Sequence, residues 1–237
     1  MTLGRGFGQA AGDYEHGRPS YPPDAVAWLL DGVTGPVVDI GAGTGKLTTQ
    51  VVLLGHAVTA IDPDSAMLSA LSVSVPGVPT LVGTAESIPL ADGVADAATF
   101  GQSWHWVDPA AASAEVARVL RPGGVLGLIW NLRDESVDWV AALGEAMGAS
   151  KAESLISADE VEVAAPFGPL EAREWRWQNS MTREQLGAMV RSRSYYIAGD
   201  ASFRAKVDDA VAEVLERLPA GPVDLPYVTH AFRTTRP

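Results

Sequence analysis

A doubly wound α/β sheet is predicted, and three observations predict it. Short β-branched runs alternate with amphipathic segments five times between residues 36 and 130. The first of those runs breaks into a glycine turn, Gly41-Ala42-Gly43-Thr44-Gly45, and the second ends beside an acid, Asp62. Alternation of this kind implies a parallel sheet with helices on both faces and right-handed crossovers.

Each element has a local reason. Pro36–Ile40 (Pro-Val-Val-Asp-Ile) is a short continuous apolar run that suits a buried parallel strand. A helix is predicted over Thr44–Leu54, with Leu47, Val51 and Leu54 on one face and Gly55 as its stop. Ala57–Ile61 is the second strand. Asp64 or Ser65 caps a helix carrying Met67, Leu68 and Leu71. Thr80–Val82 is a third strand and Ala95–Phe100 a fourth. Pro109 can open a helix at its first turn, running to about Leu120. The turn Arg121-Pro122-Gly123-Gly124 then leads into a fifth strand, Val125–Trp130.

Beyond this point the character changes. Ser136–Met147 reads as a helix and Leu170–Gln178 as extended chain. In that stretch Trp175 and Trp177 share one side and are read as packing residues, as are Trp28 and Trp139. Thr182 and Gln185 have capping-box spacing for a helix to about Arg193. Ala201–Leu218 is an amphipathic helix, and Val223–Thr235 is a last strand. A single domain spanning 1–237 is expected, with a core over about 34–131, an N-terminal lid over 1–24, and a C-terminal helical and strand region over 132–237. Residues 180–220 are a second candidate lid.

Composition excludes several function classes. The 237 residues are 47% hydrophobic and 19% charged, enough apolar material for a core. The net charge is −12, and no run exceeds two basic residues, which argues against a nucleic acid or an anionic membrane as partner. The absence of cysteine removes disulfides, thiolate nucleophiles and Cys-ligated metals. The four histidines, His16, His56, His105 and His230, include no pair at i, i+3 or i+4, so no metal site is expected. Residues 1–12 lack an apolar signal region, and no apolar stretch approaches membrane-spanning length. A cytoplasmic location is therefore expected. Nothing in the sequence signals an oligomeric state.

The glycine turn carries the chemistry. It lies in Val37-Val38-Asp39-Ile40-Gly41-Ala42-Gly43-Thr44-Gly45-Lys46-Leu47, where strand, turn and helix follow in order. A P-loop needs a glycine where Ile40 stands and Ser or Thr where Leu47 stands. A dinucleotide fingerprint needs its third glycine one residue later than Gly45, where Lys46 stands. Asp39 at the strand end would repel a pyrophosphate but attract an amino group. Asp62, beside the turn in a doubly wound sheet, suits ribose hydroxyls. S-adenosylmethionine (SAM) has an ammonium, a sulfonium and a ribose but no phosphate, so it fits this set better than NAD. An NAD-dependent oxidoreductase and a non-catalytic SAM-binding protein on the same fold are the alternatives.

These residues resemble motif I of the class I SAM-dependent methyltransferases. Ala60-Ile61-Asp62-Pro63-Asp64-Ser65-Ala66-Met67-Leu68 resembles the family's second motif. Val82-Gly83-Thr84-Ala85-Glu86-Ser87-Ile88-Pro89-Leu90 is similar to its adenine-side loop, although Thr84 stands where the family often has Asp. Leu120-Arg121-Pro122-Gly123-Gly124 is similar to the turn before strand five. The resemblance covers roughly residues 34–131. It implies a Rossmann-like sheet of seven strands, mostly parallel with an antiparallel C-terminal strand. It also implies SAM as cofactor, with Asp39, Gly41 and Ala42 at the methionine end and Gly43 and Gly45 shaping the turn. Asp62 would hold the ribose, Pro63 and Met67 would lie near the adenine, and Thr84, Ala85 and Glu86 would line its far side. Gln102, Ser103 and Trp104 would stand near the methyl group and the acceptor. Tyr14-Glu15-His16-Gly17-Arg18-Pro19-Ser20-Tyr21-Pro22 and His105-Trp106-Val107-Asp108 resemble a small-molecule subgroup that includes trans-aconitate methyltransferases. That likeness implies that Tyr14 and Arg18 close over the cofactor, with Arg18 near its carboxylate.

The expected reaction is methyl transfer to a small-molecule acceptor by in-line displacement, with the acceptor held at about 3–3.5 Å. Trp104, Trp106 and Tyr14 could supply aromatic walls for the cation. His105 is the candidate general base for a hydroxyl or phenol acceptor, and its alternative role is to order the loop after strand four. Arg193 and Tyr195, within Ser192-Arg193-Ser194-Tyr195-Tyr196, form a second candidate substrate surface.

Overall fold

Strand β1 (Val37–Ile40) is buried along its whole length, as its continuous apolar run requires. It pairs in parallel with β2 (Val58–Asp62) on one side and β4 (Ala95–Gly101) on the other. β3 (Thr80–Val82) joins β2, and β5 (Leu120–Arg133) joins β4, both in parallel. β7 (Val223–Thr235) runs antiparallel to β5, and β6 (Glu171–Met181) lies antiparallel against β7 at the edge. The seven strands form one sheet in the order β3-β2-β1-β4-β5-β7-β6. This computed structural model describes residues 19–148, 151–158, 160–191 and 194–237. The order reverses at β1, between β2 and β4, and in open α/β sheets such a switch point opens a crevice at the strands' carboxyl ends.

Helices cover both faces. On one, α1 (Pro23–Leu29) and α2 (Lys46–Leu53) press Leu29, Leu47 and Val51 onto Val37, Ala97 and Ile129. On the other, α4 (Pro109–Val119) presses Ala112 and Val116 onto a layer with Ile40, Phe100, Leu128 and Trp130. α3 (Ser65–Ser74) seats Leu71 against Ala60 of β2. The helix starts expected at Asp64, Pro109 and Thr182 are each capped by a side chain. Asp64 accepts from Ala66 N–H at 2.8 Å, and Asp108 accepts from Ala111 N–H at 2.9 Å beside Pro109. Thr182 and Gln185 exchange both capping-box bonds, at 3.1 and 2.7 Å.

The second half stacks α5 (Asp138–Met147), α7 (Arg183–Arg191) and α9 (Ala201–Arg217) into one apolar cluster. Tyr227 of β7 joins that cluster, and Trp177 stacks on it at 5.2 Å between ring centroids. Trp175 packs on Trp28 at 5.6 Å. Three short helices escape the pattern reading: α1, α6 (Lys151–Ser157) and α8 (Ser194–Ala198). Segments of five to seven residues complete too few turns to show a 3.6-residue period. β5 also starts earlier than Val125. Leu120 already pairs with Ala95, and Arg121 to Gly124 form an irregularity before Val125 pairs with Ala97.

Candidate active site

At the switch point the glycine turn leaves β1, and Gly45 closes it as the N-cap of α2 with φ 92°. Gly41 also has positive φ, 68°, and a Cβ there would lie 2.6 Å from Ser103 Cβ. The turn is therefore held against the chain that leaves β4, and Ser103 Oγ donates to Ile40 O at 2.9 Å. Only a residue without a side chain satisfies both constraints. From the other side, Gly43 N–H donates to Asp62 Oδ2 at 2.9 Å, and Asp64 N–H donates to Oδ1 at 2.8 Å. Asp62 thus points at the turn. Burial raises its pKa, and the two backbone N–H donors pull the other way.

Asp39 is fully buried one residue before the end of β1. Its Oδ2 accepts from Thr48 Oγ1 at 2.6 Å and its Oδ1 from Thr99 Oγ1 at 3.1 Å. Burial pushes its carboxyl up to about 6, while the two threonine hydroxyls lower it. It borders a cleft that also meets Gly41, Ala42, Thr44, Gln102 and Asn131. Gln102, with φ 56°, takes a left-handed conformation. Its backbone N–H donates to Ile129 O at 2.9 Å and its side-chain amide to Asn131 O at 2.8 Å, tying the β4 exit to β5.

The remaining sequence candidates separate. Met67 is buried on α3 and Pro63 is exposed beside it. Thr84 forms an isolated bridge with Ser87, Ala85 is buried, and Glu86 accepts from Asp108 N–H at 3.1 Å. Trp104 is not brought to the cleft. It is 2% exposed, meets Phe100 edge-on at 4.8 Å, and donates its indole N–H to Glu162 O at 2.9 Å. Trp106 is 43% exposed, with its ring centroid 4.8 Å from that of His105. His105 Nδ1 accepts the indole N–H of Trp130 at 3.2 Å. Tyr14, Arg18 and Arg193 lie outside the described residues, as does the side chain of Tyr195.

Several cleft residues went unread in the sequence. Thr44, inside the glycine turn, lines the cleft with a buried hydroxyl that has no hydrogen-bond partner. A polar residue inside a ligand-binding turn is a signal that could have found it. Asn131 directly follows the apolar run of β5, and a polar side chain at a strand's carboxyl end is also a usable signal. Tyr21 and Tyr227 line the cleft as well, through contacts that no local pattern announces.

Comparison with known proteins converges on this geometry. Residues 38–128 match the family described as "Methyltransferase domain". An uncharacterized methyltransferase of Mycobacterium tuberculosis is 48% identical over 233 residues, covering 97% of this chain and 95% of that protein. The chain belongs to the class I SAM-dependent methyltransferases. A methyltransferase-like protein of Schizosaccharomyces pombe is 31% identical over 238 residues, covering 94% of this chain and 93% of that one. A solved structure from Anaeromyxobacter dehalogenans, reported as a type II methyltransferase, shares the fold. Its TM-score is 0.67 at 22% identity, over 92% of this chain and 97% of that one. Membership in this family decides against the dehydrogenase reading of the glycine turn. Among the described residues of this methyltransferase, no helix is long and apolar enough to cross a membrane.

Proposed function

We propose that this methyltransferase binds SAM across the β1 turn and β2, and transfers its methyl group to a small-molecule acceptor at the carboxyl ends of β4 and β5. The observation that carries the reading is the pairing of a buried Asp39 with the glycine turn that Asp62 holds in place. The residues fit the cofactor. Gly41 and Gly101 border the cleft with backbone alone, because a Cβ at either would collide with protein, Ser103 at 2.6 Å and the Tyr21 hydroxyl at 2.8 Å. The buried hydroxyl of Thr44 supplies an unanswered polar atom in the same cleft. Bound there, SAM supplies an electrophilic methyl on a sulfonium.

The chain's own groups do the rest. Ionised Asp39 faces an ammonium with a carboxylate already aligned by Thr48 and Thr99. The oxygens of Asp62 that accept from Gly43 and Asp64 each keep a further lone pair for a ribose hydroxyl. The acceptor's electron pair forms the new bond to carbon as the carbon–sulfur bond breaks, and sulfur keeps that pair. Such a step works mainly through positioning. His105 fits a positioning role, because its Nδ1 lone pair is engaged by Trp130. The acidic surface, at net charge −12, favours a small molecule over a nucleic acid as acceptor.

Calorimetry with SAM and S-adenosylhomocysteine tests the reading, followed by detection of S-adenosylhomocysteine across a panel of small acceptors. Binding of both and turnover of one acceptor is the expected result. Failure of either cofactor form to bind at about millimolar concentration, far weaker than typical affinities for a specific ligand, would remove the proposal.

A further inference from the structure

Arg133 ends β5, and its side chain is wholly buried. Nη2 donates to Glu153 of α6 at 2.7 Å and lies 3.4 Å from the half-exposed Glu135. Nε and Nη1 are closed to solvent and have no hydrogen-bond partner. A guanidinium carries five N–H donors and no acceptor, so three donors of a buried cation stand unanswered. Buried polar groups are paired almost without exception, and charged ones cost most when they are not. Such a group calls for a partner that is not part of the fold.

Its place in the sheet says where that partner sits. Side chains alternate along a strand, so Arg133 shares a face with Asn131, which lines the cleft. Its cross-strand partner on β7 is Tyr227, which lines the cleft too. Two residues of strand separate Arg133 from Asn131, roughly 7 Å. β4 stops pairing with β5 at Ile129, so beyond that point β5 is bordered by β7 alone. Arg133 thus lies just beyond the cleft-lining pair Asn131 and Tyr227, on the side away from the glycine turn, where an acceptor facing the cofactor would lie.

We infer that Arg133 anchors the methyl acceptor there and that the acceptor carries a carboxylate. The inference rests on the function proposed above and names the substrate class for that site. A planar carboxylate answers unpaired guanidinium donors directly. Glu153 and Glu135 already stand beside the guanidinium, so a monoanion suits the position better than a phosphate dianion.

The test uses the full chain saturated with S-adenosylhomocysteine and a series of C4–C10 aliphatic and aryl carboxylates. Each is titrated beside its primary amide and its phosphate counterpart. The expected result is that the carboxylates that bind do so at least tenfold more tightly than their amides and phosphates. Arg133→Gln should erase that preference while changing the S-adenosylhomocysteine affinity less than twofold. Arg133→Lys, which keeps the charge but not the planar donors, should lose at least threefold of it and serves if the Gln variant does not fold. Equal binding of acid and amide, tighter binding of the phosphate, or a preference that survives in the variants would overturn the inference. A variant that melts earlier yet keeps the preference does the same, because it marks Arg133 as a purely structural tie to Glu153. Failure of the wild-type chain to bind S-adenosylhomocysteine instead removes the functional proposal on which this one rests.

Discussion

The backbone N–H of Gly43 donates to Oδ2 of Asp62 at 2.9 Å, across 19 residues of chain. The turn after β1 and the acid at the end of β2 are therefore one hydrogen-bonded unit. Asp62 has two tasks, to hold the turn and to offer its remaining lone pairs to a ligand. Asp62→Ala is expected to weaken S-adenosylhomocysteine binding at least tenfold in calorimetry. It should also cost about 1–3 kcal/mol of stability in denaturant unfolding, because the Gly43 and Asp64 N–H groups lose their acceptor. An unchanged dissociation constant would contradict the ribose role.

Asp39 makes stability and cofactor binding depend on pH in opposite senses. Its pKa is about 6 in the folded protein against 3.8 for an ordinary aspartate. The folded state holds the proton more tightly, so the contribution is fully present below about pH 3.8 and is lost as pH rises through 6. The total is about 3 kcal/mol. Asp39→Asn should flatten the urea-unfolding free energy between about pH 4 and 6.5 relative to wild type. Cofactor affinity should show the reverse trend. It should be steady above about pH 6 and weaker below it, as the carboxylate that faces the ammonium takes up a proton.

Thr44 allows the demands of the fold and the ligand to be separated. Its hydroxyl is buried in the cleft without a partner, so Thr44→Val removes an unsatisfied group at nearly constant volume. Thermal unfolding should show stability unchanged or raised by about 1 kcal/mol. Calorimetry should show weaker cofactor binding. Unchanged affinity would show that the hydroxyl makes no contact with the cofactor.

Gly41→Ala should fail for two independent reasons. The residue has φ 68°, and its new Cβ would meet Ser103 Cβ at 2.6 Å. Relieving the clash moves the chain that leaves β4 away from the turn. A loss of about 1–3 kcal/mol is expected from the conformation alone, together with loss of S-adenosylhomocysteine binding. Gly55→Ala is the control. Its φ is also positive, at 90°, but a Cβ there meets nothing within 4 Å, so it should cost stability and leave binding intact.

His105 is held by Trp130. With Nδ1 accepting the Trp130 N–H at 3.2 Å, the neutral ring carries its proton on Nε2. Nitrogen-15 spectra of the histidine ring should report that tautomer. His105→Ala should lower turnover without removing an ionisation from the pH profile of kcat between about pH 6 and 9. Disappearance of a limb from that profile in the variant would assign His105 as the base.

Much of the fold was legible because its signals are local. Apolar runs bounded by turn residues predict β1 to β5, and Asp64, Pro109 and Thr182 predict helix starts from local chemistry alone. The short helices α1, α6 and α8 were not legible, because so few residues cannot show a helical period. In the candidate site, the glycine turn and Asp62 stood out through motif spacing. Trp104 read as a wall of the substrate pocket, but it faces the core, where Phe100 and the Glu162 carbonyl take its ring edge and N–H. Sequence places it after β4 and cannot say which way it turns.

The sequence by itself determined that strands and helices alternate, that the chain turns on glycine after β1, and that an acid ends β2. These follow from periodicity and backbone sterics over a few neighbouring residues. Only the tertiary structure decided that Asp39 is aligned by Thr99, that Asn131 accepts from Thr229 98 residues away, and that Arg133 ends beside Tyr227 with donors unanswered. Strand pairing brings those groups together, and pairing register is set by burial summed over the whole sheet rather than by any one segment.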